Sequence, residues 1–260
     1  MLSWHTKFSR VLYLCSLVKS SMYNLLIDVG NSSVKIACSM GNVLEKVVRV
    51  DNEDIIGRIR SLSEEYPIDI AVISSVRECD GVYGFVEGIS RKTILLNGLT
   101  DLPVKINYAT PHTLGPDRIA AAVAVNTMFP GERSLVFDFG TAITIDIISE
   151  KGEFLGGNIS PGIDMRFRAL NAYTGKLPLC EKPLKFNNIG LSTKEAIESG
   201  VVLGIMFEVE GYLQKYQDYK AVFTGGNSLY FADELKNPIF VVFNLVLIGL
   251  AYIADYHANN

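Results

Sequence analysis

Short apolar runs broken by glycine-centred turns dominate the first third of the chain. Residues 23–29, 33–39 and 43–50 have strand length and β-prone composition, with turns at Gly30-Asn31-Ser32 and Met40-Gly41-Asn42. They predict a three-stranded meander. Residues 54–65 carry charge at helical spacing. The run Ile68-Asp69-Ile70-Ala71-Val72-Ile73 reads as a buried strand over 68–74, followed by a short helix over 81–89 and a strand over 93–96. Residues 110–116 are rich in turn formers and predict a loop. A helix over 117–128 follows, with Ala120, Ala121, Ala122 and Ala124 permitting tight packing. Asp117 in its first turn suits the positive end of a helix dipole.

The second half repeats that order. Residues 135–139, 142–148 and 154–159 predict a second meander, with a turn at Lys151-Gly152-Glu153. Gly156-Gly157-Asn158-Ile159-Ser160-Pro161-Gly162 leads into a helix over 163–172, and 174–188 is a polar, proline-containing loop. A long helix spans 192–214, with Ser192 or Thr193 as N-cap and Glu195 in the first turn. A strand over 221–223 runs into Thr224-Gly225-Gly226-Asn227. The apolar stretch 239–254 is flanked by Pro238 and interrupted by Asn244 and Gly249, so it predicts a buried strand (239–243) feeding a helix (245–256) rather than a membrane span. Three strands followed by alternating helix and strand, twice over, predict an α/β protein of two similar halves, 22–131 and 132–260. A chain of 260 residues accommodates two units of about 100–130 residues each.

The repeat is sharpest at one phrase. Asp28-Val29-Gly30-Asn31-Ser32-Ser33-Val34-Lys35-Ile36 returns as Asp138-Phe139-Gly140-Thr141-Ala142-Ile143-Thr144-Ile145-Asp146. Each copy follows an apolar run and reads as a hairpin with Asp-x-Gly at its first turn. Glycine lets backbone N–H groups approach an anion, and the hydroxyl or amide residues after it add donors. The aspartate can hold a cation beside that anion. Two such hairpins predict two half-domains clamping a nucleotide triphosphate.

Composition narrows the partners. A net charge of −4 with scattered basic residues gives no general attraction to nucleic acid or an acidic membrane. Four cysteines (Cys15, Cys38, Cys79, Cys180) and three histidines (His5, His112, His257) lack metal-ligand spacing. Cys38, inside a strand, reads as a buried free thiol, and the whole favours a reducing, cytoplasmic setting. Residues 1–21 are apolar and basic without an acid, and the core 11–18 is too short to span a bilayer. They weakly resemble a signal peptide without a clear cleavage site. The expectation is an N-terminal extension outside the fold, with Met22 as the natural start.

Six segments in order carry a resemblance. They are the Asp28–Lys35 hairpin, Gly115-Pro116-Asp117-Arg118, the Asp138–Asp146 hairpin, Gly156–Gly162, Thr193-Lys194-Glu195-Ala196-Ile197-Glu198-Ser199-Gly200 and Thr224-Gly225-Gly226. Together they resemble the actin/hexokinase/heat-shock-chaperone ATPase superfamily and, within it, the type III pantothenate kinases. Ser32 stands where that family usually has threonine, keeping the hydroxyl, and Pro116 fills the variable position of Gly-x-Asp-Arg. Residues 1–21 have no counterpart.

The resemblance implies two ribonuclease-H-like half-domains of the actin-like ATPase fold with a nucleotide cleft between them. It implies ATP-dependent phosphorylation of pantothenate to 4′-phosphopantothenate, the first step of coenzyme A synthesis, by a homodimer needing Mg²⁺ and a monovalent cation, K⁺ or NH₄⁺. Asp117 is the expected general base. The ATP site comprises Asp28, Val29, Gly30, Asn31, Ser32, Ser33, Val34, Lys35 and Thr141; Asp28 would hold Mg²⁺ through water. Tyr108, Gly115, Pro116, Asp117, Arg118 and Thr193 would meet pantothenate, Thr193 near the dimer interface, and Asp138 would bind the monovalent cation. Each has a plainer alternative. Asp28 can cap a turn, Lys35 can blunt a sheet edge, Asp117 and Thr193 can cap helices, Arg118 can be solvated, and Tyr108 can belong to the core. Two competing functions are another small-molecule kinase or phosphatase of the superfamily and a non-catalytic transcriptional accessory factor. The intact aspartates and the lack of a basic stripe favour catalysis without nucleic acid.

Overall fold

The computed structural model describes residues 22–50, 54–235 and 237–260. The expected N-terminal extension, 1–21, lies outside them.

The first sheet is built from β1 (Tyr23–Val29), β2 (Val34–Met40), β3 (Val43–Val50), β4 (Ile68–Ser75) and β5 (Lys92–Leu95), in the order β3-β2-β1-β4-β5. The meander pairs antiparallel and the two later strands add parallel to β1. The second sheet contains β7 (Ser134–Phe139), β8 (Ala142–Ile148), β9 (Glu153–Pro161), β10 (Lys220–Thr224) and β11 (Ile239–Val241). Its order, β11-β10-β7-β8-β9, is the first sheet's order over again, with the same antiparallel meander and parallel additions. One strand breaks the symmetry. The two-residue β6 (Lys105–Ile106) pairs parallel with β9 at the edge of the second sheet.

Seven helices fill the connections among the described residues: α1 (Ile55–Glu65), α2 (Asp80–Glu87), α3 (Pro116–Met128), α4 (Ile163–Tyr173), α5 (Thr193–Lys215), α6 (Ser228–Glu234) and α7 (Leu245–Asn259). The central strands are buried on both faces, which explains their continuous apolar runs. On β1, Leu26 faces the core between the sheets, while Leu25, Ile27 and Val29 face the outer core under α1 and α2. On β7, Val136 faces between the sheets and Leu135, Phe137 and Phe139 face the outer core shared with α4, α5 and α6.

The core between the sheets is made by α3 and α7. Every α3 residue from Arg118 to Val125 is buried, and most of α7 is. The two helices touch closely: a Cβ on Gly249 would overlap the backbone of Ala120. The alanines of α3 and this glycine therefore set the interhelical distance by their lack of bulk. α7 also packs against β1 and β4, so the C-terminal helix leans on the first sheet. Among the described residues, no helix is long and apolar enough to cross a membrane. Cys38 is buried and unpaired in β2.

Candidate active site

Corresponding ends of the duplicated strands define the site. Asp28 is the last residue but one of β1 and Asp138 the last but one of β7. Each has a hydroxyl residue as its parallel neighbour, Ser74 on β4 and Thr224 on β10. Ser74 Oγ donates to Asp28 Oδ1 at 3.3 Å. The turns that follow, 30–33 and 140–141, meet across the gap, with Ser32 Oγ and Thr141 Oγ1 2.8 Å apart. Gly225 holds φ at +89°, and a Cβ there would overlap Asp138 Oδ1 and the Phe139 backbone. The chain after β10 thus passes directly over the second carboxylate, a path open only to glycine.

These elements enclose a cavity of about 380 Å³, the scale of a small-molecule site. The first half contributes Asp28, Gly30, Asn31, Ser32, Ser33 and Lys35; the second contributes Asp138 and Thr141. Asp117 enters from the N-terminus of α3. Val29 and Val34 flank the first turn with buried side chains, so only their backbone is available there.

The remaining predicted residues lie elsewhere. Arg118 is buried behind Asp117. Its Nε and Nη2 donate to one oxygen, Oδ1 of Asp146, at 2.9 and 2.5 Å. The guanidinium packs 6.0 Å from the Tyr108 ring centroid and 5.5 Å from that of Phe154. Tyr108 is half-buried against Phe154. Gly115 is the N-cap of α3 and Pro116 its first residue. Thr193 opens α5 and is exposed. The cap is Ser192, whose Oγ accepts from Glu195 N at 3.2 Å, while Glu195 Oε2 accepts from Leu191 N at 2.8 Å. These two bonds at the helix start leave the Thr193 hydroxyl unused by the helix.

Sequence reasoning assigned no role to Asp146, Ser74, Arg49 or Arg168. Asp146 closes the repeated phrase and faces inward by alternation from Thr144, a usable signal. Arg49 sits directly across from Lys35 in the β2–β3 register. Ser74 and Arg168 carry no local signature.

Burial raises the proton affinity of all three carboxylates in the cleft, and the Asp117 charge adds to it for Asp28 and Asp138. Burial lifts Asp28 to about 6, with the Asp117 charge adding and Lys35 and Ser74 opposing. Burial lifts Asp138 further, to about 7, with Asp117 and Asp28 adding. Burial also raises Asp117, against the Arg118 backbone N–H that donates to its Oδ1 at 2.9 Å. Burial lifts Asp146 to about 6, opposed by Arg118, and it remains the ionised partner of a guanidinium that does not deprotonate.

The sign of the linkage follows. Acids whose folded pKa is raised stabilise the fold fully below the unfolded value near 4 and lose that contribution as pH rises through 6–7. The ligand-free protein should therefore melt several degrees higher at pH 5.5 than at pH 8. Calorimetry across that window checks it, and an Asp138→Asn variant should flatten the slope. A flat wild-type profile contradicts these shifts.

The excess negative charge fits a cation. Among the described residues, no three acidic, cysteine or histidine side chains converge closely enough to cage a metal ion. An ion here would complete its shell with water and ligand oxygens, as Mg²⁺ does at phosphate sites.

The sequence profile of the type III pantothenate kinases matches residues 24–215. A type III pantothenate kinase from Cytophaga hutchinsonii is 41% identical over 239 residues, covering 90% of this chain and 99% of that one. Among solved structures, a conserved Baf-family protein from Campylobacter jejuni superposes with a TM-score of 0.63 at 24% identity, over 91% of this chain and 100% of that one. The activator of 2-hydroxyisocaproyl-CoA dehydratase from Clostridium difficile, solved with ADPNP, has a TM-score of 0.52 at 12% identity, over 92% and 96%. These neighbours share the α/β fold of two mixed sheets. Three aspartates on two repeated hairpins and one helix start, within a sequence this close to its relatives over almost their whole length, place the chain in one family: it belongs to the type III pantothenate kinases.

Proposed function

We propose that the cleft transfers the γ-phosphoryl group of ATP to the primary hydroxyl of pantothenate, giving 4′-phosphopantothenate and ADP. The observation that carries this reading is the convergence of Asp28, Asp117 and Asp138 in one cavity with the two hairpin turns. The pantothenate oxygen attacks the γ-phosphorus, its proton passes to the Asp117 carboxylate, and the bond to the β–γ bridging oxygen breaks. Such a transfer needs positioning and charge neutralisation together with a proton acceptor. The burial that raises Asp117 makes it a better acceptor than an exposed aspartate. The turn 30–33 cradles ATP phosphates with backbone and hydroxyl donors, joined by Thr141. Asp28 would hold Mg²⁺ through water, and Mg²⁺ when bound would neutralise phosphate charge. Arg118 and Tyr108 form the wall behind the acceptor. ADP formation in a coupled assay, dependent on pantothenate and Mg²⁺, tests the reading, and its absence overturns it.

Asp138 is the site for the monovalent cation. It duplicates Asp28 in position, and one MgATP leaves the second carboxylate available. Replacing Na⁺ by K⁺ or NH₄⁺ at constant ionic strength should raise the rate steeply, and Asp138→Ala should remove that difference. Equal rates in all three salts would sink the assignment.

The acting form is a homodimer in the cytoplasm. Ile159, Tyr173, Leu184, Ile189, Leu191 and Phe207 are exposed apolar side chains on the second half. An apolar surface of this kind suits a second copy, and sedimentation should give twice the 28.6 kDa chain mass.

A further inference from the structure

The cleft's cations are arranged asymmetrically. In the first sheet the register sets Ser74, Asp28, Lys35 and Arg49 side by side across β4, β1, β2 and β3. The corresponding row of the second sheet is Thr224, Asp138, Thr144 and Ile159, which carries no cation. Lys35 acts on both Asp28 and Asp138, lowering their proton affinity. Arg49 does not. It stands directly opposite Lys35, a like-charge pairing that costs stability unless an anion bridges it. On the facing wall, α4 of the second half brings Arg168 into the same cleft. Among the described residues, neither Arg49 nor Arg168 has an ion-pair, hydrogen-bond or ring partner. Asp164, one helical turn before Arg168, lines the same wall without pairing to it.

We infer that Arg49 and Arg168 grip the ATP triphosphate from opposite walls, as a two-sided guanidinium clamp that completes the phosphate site made by the two turns. The inference rests on the ATP-kinase reading above. Carboxylates occupy the cleft floor, so a polyanion entering it needs cations that are not already committed to those acids. Two unpaired guanidiniums meet that requirement, and their planar forks match phosphate oxygens two at a time. One arginine comes from each half, so a triphosphate held by both also holds the halves in one relative position.

The variants are Arg49→Met, Arg168→Met, the double variant, and the two lysine replacements. Each methionine variant should lower kcat/KM for ATP by about ten- to a hundred-fold. The KM for pantothenate should hold, and lysine should rescue only in part. The melting temperature should not fall, because both side chains are exposed and, among the described residues, unpaired; Arg49→Met also relieves the like-charge pairing with Lys35. The double variant should lose less than the two single losses combined, since both arginines grip one group. MgATP binding, and its competition by inorganic tripolyphosphate, is measured without pantothenate. That readout stands even if pantothenate is not the acceptor, which separates failure of the clamp from failure of the kinase reading. Wild-type MgATP affinity in both single variants overturns the clamp. So does a loss confined to the KM for pantothenate, which would move these cations to the acceptor's carboxylate.

Discussion

Replacing Asp117 by asparagine lowers turnover by about 10²–10⁴-fold, the range for loss of a general base. Asparagine keeps the shape and can still accept at Oδ1 from the Arg118 backbone N–H, so the start of α3 stays intact. Affinity for MgATP, measured separately, should be unchanged or improved, because one of the charges that crowd Asp28 and Asp138 is gone. The pH profile gives a second check: whatever activity remains should lose its acidic limb. Turnover of the folded variant near that of wild type would remove Asp117 from this role.

The second large effect is on stability. Replacing Asp146 by alanine strands the Arg118 guanidinium in a site where its side chain is only 6% exposed. Breaking one partner of such a buried pair costs about 3–5 kcal/mol, a fall on the order of ten degrees in melting temperature for a chain of this size. The double replacement Arg118→Met with Asp146→Leu should recover most of that loss, because it removes both charges and refills the space between Tyr108 and Phe154. Thermal melts of the three proteins decide it. A small loss in Asp146→Ala, or no recovery in the double variant, shows that the pair is not the uncompensated charge described here. Because Arg118 adjoins Asp117, the double variant should also be the more instructive enzyme: folded, with the base present and its neighbour neutral.

Most of the local structure is legible in the residues. The β1, β3 and β8 boundaries coincide with the apolar runs that predict them, since strand length and period are local properties closed by local turns. The start of α5 is equally local: the Ser192 hydroxyl accepts from the Glu195 backbone N–H and the Glu195 carboxylate accepts from that of Leu191, all within about one turn. The duplication, too, is visible in the chain, because a tight Asp-x-Gly turn after an apolar run leaves few choices of residue. Elements without a local pattern are not legible. β6 is two residues long and exists only because β9 offers an edge to pair with. α6 is seven residues without a periodic face. The predicted strand over 239–243 shortens to β11, three residues, where pairing with β10 ends.

The sequence by itself determined which residues form strands and helices, which faces are apolar, and that two hairpins of one design carry an aspartate each. Those follow from covalent neighbours, turn geometry and hydrophobic period. Only the tertiary structure decided who meets whom. It brought Asp117 from α3 into one cleft with the two strand-end aspartates, paired Arg118 with Asp146, and left Arg49 and Arg168 without a partner among the described residues in the same cleft. The physical reason is that an apolar pattern states that a face is buried but not against what. The answer here depends on α3 and α7 packing between the sheets at the distance Ala120 and Gly249 allow. That packing sets the separation of the two strand ends, and with it the charge crowding that makes the site.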